Sequence, residues 1–243
     1  MAPSTSSASE RRQSVLTAVV WDGLREVIER GGLNVVDIGG GTGGFSVPLA
    51  ARGHFVHVID PSPDALAALD RRAREQGVEG RIAGQQGDLA DLAVLVESGS
   101  VDLVLCHCVL EVVEDPARAL GAIAEVLRPG GHLSLLVAQQ HAAVVAKAMA
   151  GHFHAARELL EGSGHSGRPG RRFARDDVVD LLRGAGLVAG DVHGVRVFAD
   201  LVPGSLLDLE PGAAAALVEL EQAVASREEY LPLATQLHVL ARR

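Results

Sequence analysis

Short apolar runs and helical apolar spacings alternate along the first 138 residues of the chain. The apolar runs predict five β-strands: Asn34–Ile38, His54–Ile59, Arg81–Gln86, Val101–Cys106 and His132–Ala138. The helical spacings predict a helix before the first strand and one after each of the first four: Val15–Ile28, Gly43–Arg52, Ser62–Gln76, Asp88–Glu97 and Asp115–Leu127. Strands that alternate with helices pair in parallel through right-handed crossovers. The pattern therefore predicts an α/β fold with a doubly wound, Rossmann-like sheet.

The pattern changes after the fifth predicted strand. Six segments follow in order: a long helix Ala142–Leu160, a Gly/Ser/Pro-rich loop Gly162–Gly170, a second helix Phe173–Ala185, a strand Val192–Phe198, a helix Pro211–Arg227 and a last strand Gln236–Ala241. We therefore expect a seven-stranded, mostly parallel sheet with a C-terminal antiparallel hairpin strand. The helical segment after strand 5 is predicted to be an insertion.

Composition narrows the class of protein. Of the 243 residues, 47% are hydrophobic and 22% are charged, which is the balance of a soluble globular protein. Apolar runs stay well short of the roughly 18 residues that cross a bilayer, and Met1–Ser9 lacks the features of a secretory signal. The two cysteines, Cys106 and Cys108, lie too close on one strand to form a disulfide easily. We therefore expect a cytoplasmic protein without a membrane partner.

A glycine-rich turn follows the first predicted strand. Residues 35–44 read V-V-D-I-G-G-G-T-G-G, and glycines there let the backbone approach a ligand closely. Gly39, Gly41 and Gly44 also satisfy the G-x-G-x-x-G fingerprint of dinucleotide sites, so the spacing alone leaves an NAD-dependent oxidoreductase open. Asp37 lies in the strand end, where its carboxylate would oppose a pyrophosphate. That charge favours a ligand that carries an ammonium and a sulfonium group.

Carboxylates follow the next two predicted strands. Asp60 closes the second strand, where a carboxylate can accept hydrogen bonds from both hydroxyls of a ribose. Asp88 follows the third strand, where it can accept an adenine amino group. Each of these two residues can instead cap the helix that follows it.

These features occur in the order of a known family. Residues 33–138 resemble the class I S-adenosylmethionine-dependent methyltransferases in four features. These are the glycine turn, the two carboxylates, the strand Asp102–His107 and the turn Leu127–Gly131. The resemblance implies S-adenosylmethionine as the cofactor. The cofactor-binding residues that it implies are Asp37, Gly39, Gly40, Gly41, Asp60, Pro61, Asp88, Leu89 and His107. A histidine with a purely structural role is the alternative for His107.

A narrower resemblance begins at the end of the fourth strand. His107–Pro116 is similar to the H-x-V-L-E-x-V-x-D-P run of bacterial tRNA 5-carboxymethoxyuridine methyltransferases. Four further motifs of that family have counterparts here: Val126–Leu135, Ala148–Phe153, Gly194–Asp200 and Leu237–Arg242. The similarity extends from about residue 20 to the C-terminus, and thus includes the predicted insertion.

The resemblance implies methyl transfer to the carboxylate of a modified uridine at the tRNA wobble position. Such a carboxylate is already ionised at neutral pH, so no general base is needed and we assign no catalytic residue. Catalysis then depends on positioning the reactants and excluding water. Arg196 is the candidate for orienting the carboxylate, because its planar guanidinium suits bidentate pairing. A structural ion pair is the alternative for Arg196.

A basic segment lies near the predicted insertion. Arg168, Arg171, Arg172 and Arg175 fall together, where the family also carries basic residues, and Arg171 and Arg172 are candidate substrate-binding residues. The net charge of −9 argues against a general nucleic-acid binder but allows a local basic site for a tRNA anticodon loop. A solvated arginine-rich loop is the alternative.

Departures from the family keep other functions open. Leu16 stands where the family has an arginine that reaches the cofactor, and Ala138 and Gln139 replace an aromatic residue and an asparagine. A methyltransferase for a small-molecule acceptor and a non-catalytic cofactor-binding regulator therefore remain alternatives. We expect no metal, because Cys106, His107 and Cys108 alternate across a strand and have no second ligand cluster.

The chain is accordingly divided into a flexible tail, residues 1–12, and a single methyltransferase domain, residues 13–243. Within the domain, residues 13–138 form the predicted cofactor-binding core and residues 192–243 the C-terminal strands and helix. Residues 139–191 form the helical insertion, which is a candidate substrate cover because ligands bind at the carboxyl ends of such strands.

Overall fold

A computed structural model describes residues 8–161, 170–208 and 211–243. Its seven strands are β1 Asn34–Ile38, β2 Phe55–Asp60, β3 Ile82–Gln86, β4 Val101–His107, β5 Leu127–Ala138, β6 Val188–Val195 and β7 Gln236–Arg242. They form one sheet in the order β3-β2-β1-β4-β5-β7-β6. The pairs among β1 to β5 are parallel, whereas β7 pairs antiparallel with both β5 and β6. The predicted fold class is confirmed.

Helices cover both faces of this sheet. They are α1 Ala8–Ile28, α2 Ser46–Ala51, α3 Pro63–Glu75, α4 Leu92–Leu95, α5 Pro116–Val126, α6 Gln140–Met149, α7 Phe153–Leu160, α8 Arg175–Gly184 and α9 Ala213–Val224. Ser62 caps the N-terminus of α3, because its Oγ accepts a hydrogen bond from the amide of Ala65 at 3.2 Å. None of the described helices is long and apolar enough to cross a membrane.

The central strand β4 is buried on both faces by two hydrophobic layers. Leu103 and Leu105 pack in the layer that contains residues of α1, α2 and α3. Val104 and Cys106 point the opposite way, into the layer that contains residues of α5 and α8. Alternate residues of a strand face opposite sides of a sheet, so an entirely apolar strand needs a cover on both faces. This requirement explains the continuous apolar run of β4.

Several element boundaries differ from the prediction. The single helix predicted over Ala142–Leu160 is two helices, α6 and α7, because the chain turns at Gly151 with φ +77°. The helix predicted over Asp88–Glu97 is a short 3₁₀ turn followed by the one-turn helix α4. Helix α1 begins at Ala8, so residues 8–12 of the predicted tail are helical, and residues 1–7 lie outside the described residues.

The segment predicted as an insertion contains two kinds of structure. Helices α6 and α7 form a hairpin, which Gln140 closes by donating its Nε2 hydrogen bond to the carbonyl of Leu159 at 2.9 Å. Helix α8 instead packs against α5 and β6, in the layer that covers the sheet. The hairpin, which follows directly from the carboxyl end of β5, is thus the part that extends beyond the ordinary sheet layers.

Strand β6 ends earlier than predicted, at Val195 rather than Phe198, because the backbone amides that follow donate hydrogen bonds to a buried carboxylate. Glu221 of α9 is fully buried and accepts hydrogen bonds from the amides of Val197, Phe198 and Ala199 at 2.7–2.9 Å. These amides therefore do not continue the β ladder. The Glu221 carboxylate sets the course of the loop that begins at Arg196.

We predict that Glu221→Ala destabilises the fold, because three amides would lose their buried acceptor. Each unpaired buried amide costs about 1–3 kcal/mol, so the free energy of unfolding should fall by at least about 3 kcal/mol. Denaturant unfolding measures this change. Glu219→Ala, on the exposed side of the same helix, is the control and should change stability by less than about 0.5 kcal/mol. Equal stabilities of the two variants would contradict the assigned role.

Candidate active site

A cavity of about 910 Å³ opens at the carboxyl ends of β1, β2 and β4. Its walls bring together residues that are far apart in the sequence. Six of the predicted cofactor residues line it: Gly39, Asp60, Pro61, Asp88, Leu89 and His107. Apolar residues of the segment between β4 and α5, including Val109, Val112 and Val113, line the same cavity. The volume suits a nucleoside-sized ligand.

The other three predicted cofactor residues, Asp37, Gly40 and Gly41, are not among the residues that line this cavity. Asp37 is buried beneath the loop and accepts a hydrogen bond from Ser46 Oγ at 2.5 Å. A Cβ at Gly40 would lie 2.6 Å from the carboxyl carbon of Asp37, so the loop folds down onto this side chain only with glycine there. Burial and the nearby Asp60 carboxylate raise the pKa of Asp37 to about 7, although the Ser46 hydrogen bond opposes this effect.

Gly39 forms the point where the backbone comes closest to the cavity. Its φ is +68°, in the left-handed region, and a Cβ there would lie 2.8 Å from Cγ2 of Val109. Both observations require glycine at this position. A side chain would also fill the opening between the loop and the segment after β4.

Asp60 and Asp88 act as local caps and also line the cavity. Asp60 accepts hydrogen bonds from the amides of Gly41 and Ser62, both at 2.9 Å, and Asp88 accepts one from the amide of Ala90 at 2.7 Å. An ionised carboxylate has about four lone-pair positions, so each retains capacity for a ligand. Capping and ligand binding are therefore compatible at both positions.

His107 ends β4 with its ring at the cavity wall and its Nε2 in a buried polar chain. Ser134 Oγ lies 2.8 Å from this nitrogen and 2.9 Å from Nε2 of His238. Burial lowers the pKa of His107 to about 4, so its imidazole is neutral at physiological pH. The ring of Phe45 packs edge-on against it, with centroids 4.8 Å apart. The ring is thus held in one orientation at the cavity.

Arg196 lies at the end of β6 with φ +60°. Its guanidinium pairs with Asp200 at 2.5 Å, and Asp200 in turn accepts a hydrogen bond from the Thr235 hydroxyl at 2.9 Å. The Nε of Arg196 is buried without a hydrogen-bond partner among the described residues. The predicted structural ion pair therefore exists, yet it leaves one donor of the guanidinium unused.

The structure separates the arginines of the predicted basic segment. Arg171 donates to the carbonyls of Val113 and Glu114, at 3.2 and 3.3 Å, and so holds the loop between β4 and α5. Burial raises the pKa of the Glu111 carboxyl, and the positive charge of Arg172 is near enough to oppose that rise. Arg175 is about half exposed and has only distant ion pairs, at 3.6 Å. Arg168 lies outside the described residues.

Several residues of the site were missed by the sequence analysis. Ser134, a lone hydroxyl between leucines in an apolar strand, is a signal that a buried polar partner exists. Glu221 and Glu111 gave no such signal, because charged residues are usually exposed. In the part of the chain that the structure describes, no group of three or more potential ligands could hold a metal ion.

Comparisons with known proteins identify the family. A family model described as "Methyltransferase domain" matches residues 36–135. The "tRNA 5-carboxymethoxyuridine methyltransferase" of Escherichia coli K12 is 32% identical over 93% of this chain and 87% of its own length. The chain belongs to the class I S-adenosylmethionine-dependent methyltransferases. The "Ubiquinone biosynthesis O-methyltransferase" of Xanthomonas axonopodis is 34% identical over 69% of this chain and 68% of its own length.

Solved structures share the fold of this methyltransferase. An S-adenosylmethionine-dependent methyltransferase from Mesorhizobium loti superposes with a TM-score of 0.61 at 22% identity, covering 94% of this chain and all of that one. Magnesium protoporphyrin IX methyltransferase from Synechocystis, with bound S-adenosylhomocysteine, gives 0.60 at 20% identity, covering 96% and 83%. The enzyme uses S-adenosylmethionine.

We predict that Gly39→Ala weakens cofactor binding, because the new methyl group would collide with Val109 at the cavity wall. The dissociation constant of S-adenosylhomocysteine, measured by calorimetry, should rise at least about tenfold. Gly31→Ala is the matched control, since Gly31 also has positive φ, at +62°, but open space around its Cα. Equal affinities in the two variants would contradict the close approach at Gly39.

We also predict that Asp37 makes stability fall as the pH rises. Its pKa is about 7 in the folded state against an ordinary 3.8, so between these values the unfolded chain ionises while the folded protein keeps the proton. The effect corresponds to roughly 4 kcal/mol across that range. Urea unfolding of the wild type and Asp37→Asn from pH 5 to 8 should show a stability difference that grows in favour of the variant. A constant difference would contradict the raised pKa.

Proposed function

We propose that this enzyme methylates the carboxylate of 5-carboxymethoxyuridine at the wobble position of tRNA. The observation that carries the proposal is the extent of similarity to the Escherichia coli enzyme, which covers 93% of this chain. Coverage of that extent reaches beyond the cofactor-binding core, to segments near the carboxyl ends of the strands, where ligands bind in open α/β sheets. Similarity to the ubiquinone enzyme covers only 69%.

The proposed cofactor contacts follow from the cavity walls. Asp60 accepts the ribose hydroxyls, and Asp88 accepts the adenine amino group beside the apolar wall that Pro61 and Leu89 contribute. Gly39, Gly40 and Gly41 admit the amino-acid part above the buried Asp37. His107, with its fixed neutral ring, contacts the bound cofactor at the carboxyl end of β4.

The chemistry needs little from the protein beyond positioning. When bound, the cofactor supplies a methyl group on a positively charged sulfur. An oxygen of the acceptor carboxylate forms the new bond to the methyl carbon, the carbon–sulfur bond breaks, and S-adenosylhomocysteine and a neutral methyl ester result. Arg196 holds the carboxylate in line through its guanidinium, and the apolar cavity wall excludes water.

The lowered pKa of His107 favours a carboxylate over a hydroxyl as the acceptor. A hydroxyl must lose a proton during transfer, and a base works best with a pKa near the operating pH. His107, at about 4, is a weak base for that task, whereas an ionised carboxylate needs none. A small-molecule acceptor remains the second candidate, supported by the similarity to the ubiquinone enzyme and by the net charge of −9.

For the tRNA partner, we propose a local contact rather than a broad basic surface. Arg172 and Arg175 lie in the described part of the basic segment, near Glu111 and Glu228 respectively. Their positive charges can meet anticodon-loop phosphates near the site mouth. Arg171 contributes indirectly, because its guanidinium shapes the loop between β4 and α5.

The acceptor is tested with tRNA from a strain that lacks this gene. Incubation with the purified enzyme and S-adenosylmethionine should convert wobble carboxymethoxyuridine into its methyl ester, as measured by mass spectrometry of the nucleosides. Recovery of the unchanged acid would reject this acceptor and favour a small molecule.

We predict that Arg196→Ala loses methyl transfer but keeps cofactor affinity, because in the proposed site Arg196 binds the acceptor carboxylate and does not contact the cofactor. Removal of a charged hydrogen-bond donor from the reacting group should lower kcat/KM by about 100-fold or more. Arg183→Ala is the control, since Arg183 pairs with Asp180 on an exposed face of α8. Transfer at the wild-type rate, with or without altered S-adenosylhomocysteine binding, would reject the role of Arg196.

A further inference from the structure

Among the residues that the structure describes, three buried polar atoms without a hydrogen-bond partner lie near one residue that lines the cofactor cavity. Cys108 follows β4, has φ +58° and lines the cavity. The atoms belong to Arg196, Gln236 and Glu111, and they are Nε, Oε1 and Oε2 respectively. Buried polar groups are normally paired, so a concentration of unpaired ones beside a cavity indicates groups that a ligand satisfies.

Gln236 lies between two neighbouring strands. It is the first residue of β7 and pairs with Ala138 of β5 on one side and Val195 of β6 on the other. Its side chain donates a hydrogen bond from Nε2 to Sγ of Cys108 at 3.0 Å, and Gln236 as a whole is only 9% exposed. This contact fixes the amide beside the cavity, and its carbonyl oxygen remains an unused acceptor.

Glu111 and Arg196 flank the same cysteine. Glu111 is 8% exposed and uses Oε1 to accept a hydrogen bond from the amide of Ala138 at 2.6 Å, which leaves Oε2 unpaired. Burial raises the pKa of the Cys108 thiol, the Glu111 carboxylate adds to this rise and the Arg196 guanidinium opposes it, so both charges lie within electrostatic reach of Cys108. The cluster thus offers one cationic donor and two acceptors.

This pattern distinguishes between kinds of carboxylic acid. An acid without other polar groups presents only acceptors, so it would pair with Arg196 and leave both acceptors of the cluster buried and unpaired. A ring that carries a hydrogen-bond donor beside the carboxylate group satisfies more of the cluster. In a uracil ring, the C5 substituent and the N3–H project from the two positions next to the C4 carbonyl. Both groups therefore face one side of the ring.

We propose that Arg196, Gln236 and Glu111 form the acceptor subsite, in which the Gln236 side-chain carbonyl accepts the N3–H of the carboxylate-bearing uracil. The inference rests on the proposed function, and it identifies Gln236 as a specificity-determining residue. Gln236 selects a ring with a donor next to the reacting substituent, while Arg196 binds the carboxylate.

The test compares two tRNAs assembled by ligation around a synthetic anticodon segment. One carries 5-carboxymethoxyuridine at the wobble position, and the other carries the same nucleoside methylated on N3. The wild-type enzyme should methylate the first carboxylate with a kcat/KM at least about tenfold higher. Gln236→Met, which keeps the side-chain length, should methylate both tRNAs equally and slowly, mainly through a raised KM.

Controls separate this effect from loss of structure. Gln85→Met, on the exposed edge strand β3, should retain the wild-type preference. The affinity of Gln236→Met for S-adenosylhomocysteine should equal that of the wild type. If Gln236→Met does not fold, Gln236→Asn provides the second variant, because it keeps an amide but withdraws the carbonyl, and it should likewise lose the preference.

The outcomes separate the inference from the function on which it rests. Two results would overturn the role of Gln236 and leave the proposed function intact. In the first, the wild type methylates both tRNAs at equal rates. In the second, the wild type prefers the first tRNA, and Gln236→Met retains this preference. Methylation of neither tRNA by the wild type would overturn both. Methylation of phenoxyacetate as fast as of the first tRNA would show that a ring donor is not required, and would also overturn the inference.

Discussion

The insertion of β7 between β5 and β6 is the constraint on which the site depends. Because β7 runs antiparallel to both neighbours, its first residue lies at the edge where the parallel strands end. Gln236 is thereby brought beside Cys108, and Thr235 beside the Arg196–Asp200 pair. The C-terminal residues thus complete a site whose cofactor half comes from the first half of the chain.

Buried polar groups hold this edge in place, and they are paired to different extents. Glu221 accepts three amides and fixes the loop that starts at Arg196, while Ser134 joins the rings of His107 and His238. Hydrogen bonds hold the side chains of such paired groups in one orientation, and they can do so without a charge, as the neutral His107 illustrates. Three polar atoms near Cys108 have no hydrogen-bond partner among the described residues, which has a cost in stability.

The elements that were predicted well have local causes. The strands and most helices follow from apolar spacing, and the start of α3 at Ser62 follows from side-chain capping, so the fold class was predictable. The break at Gly151 and the early end of β6 were not. A glycine such as Gly151 is compatible with both a helix interior and a turn, so the apolar pattern does not predict the break. Glu221 ends β6 by accepting hydrogen bonds from amides more than 20 residues away in the sequence.

The sequence by itself determined the sheet, the glycine turn and the carboxylates at the ends of β1, β2 and β3, because these depend on short-range pattern and chain order. Only the tertiary structure decided which polar groups meet. It buried Asp37 beneath the glycine loop, engaged Arg171 with backbone carbonyls, and gathered Glu111, Arg196 and Gln236 near Cys108. Hydrogen bonds between distant residues depend on strand order and register across the sheet, which no local pattern encodes.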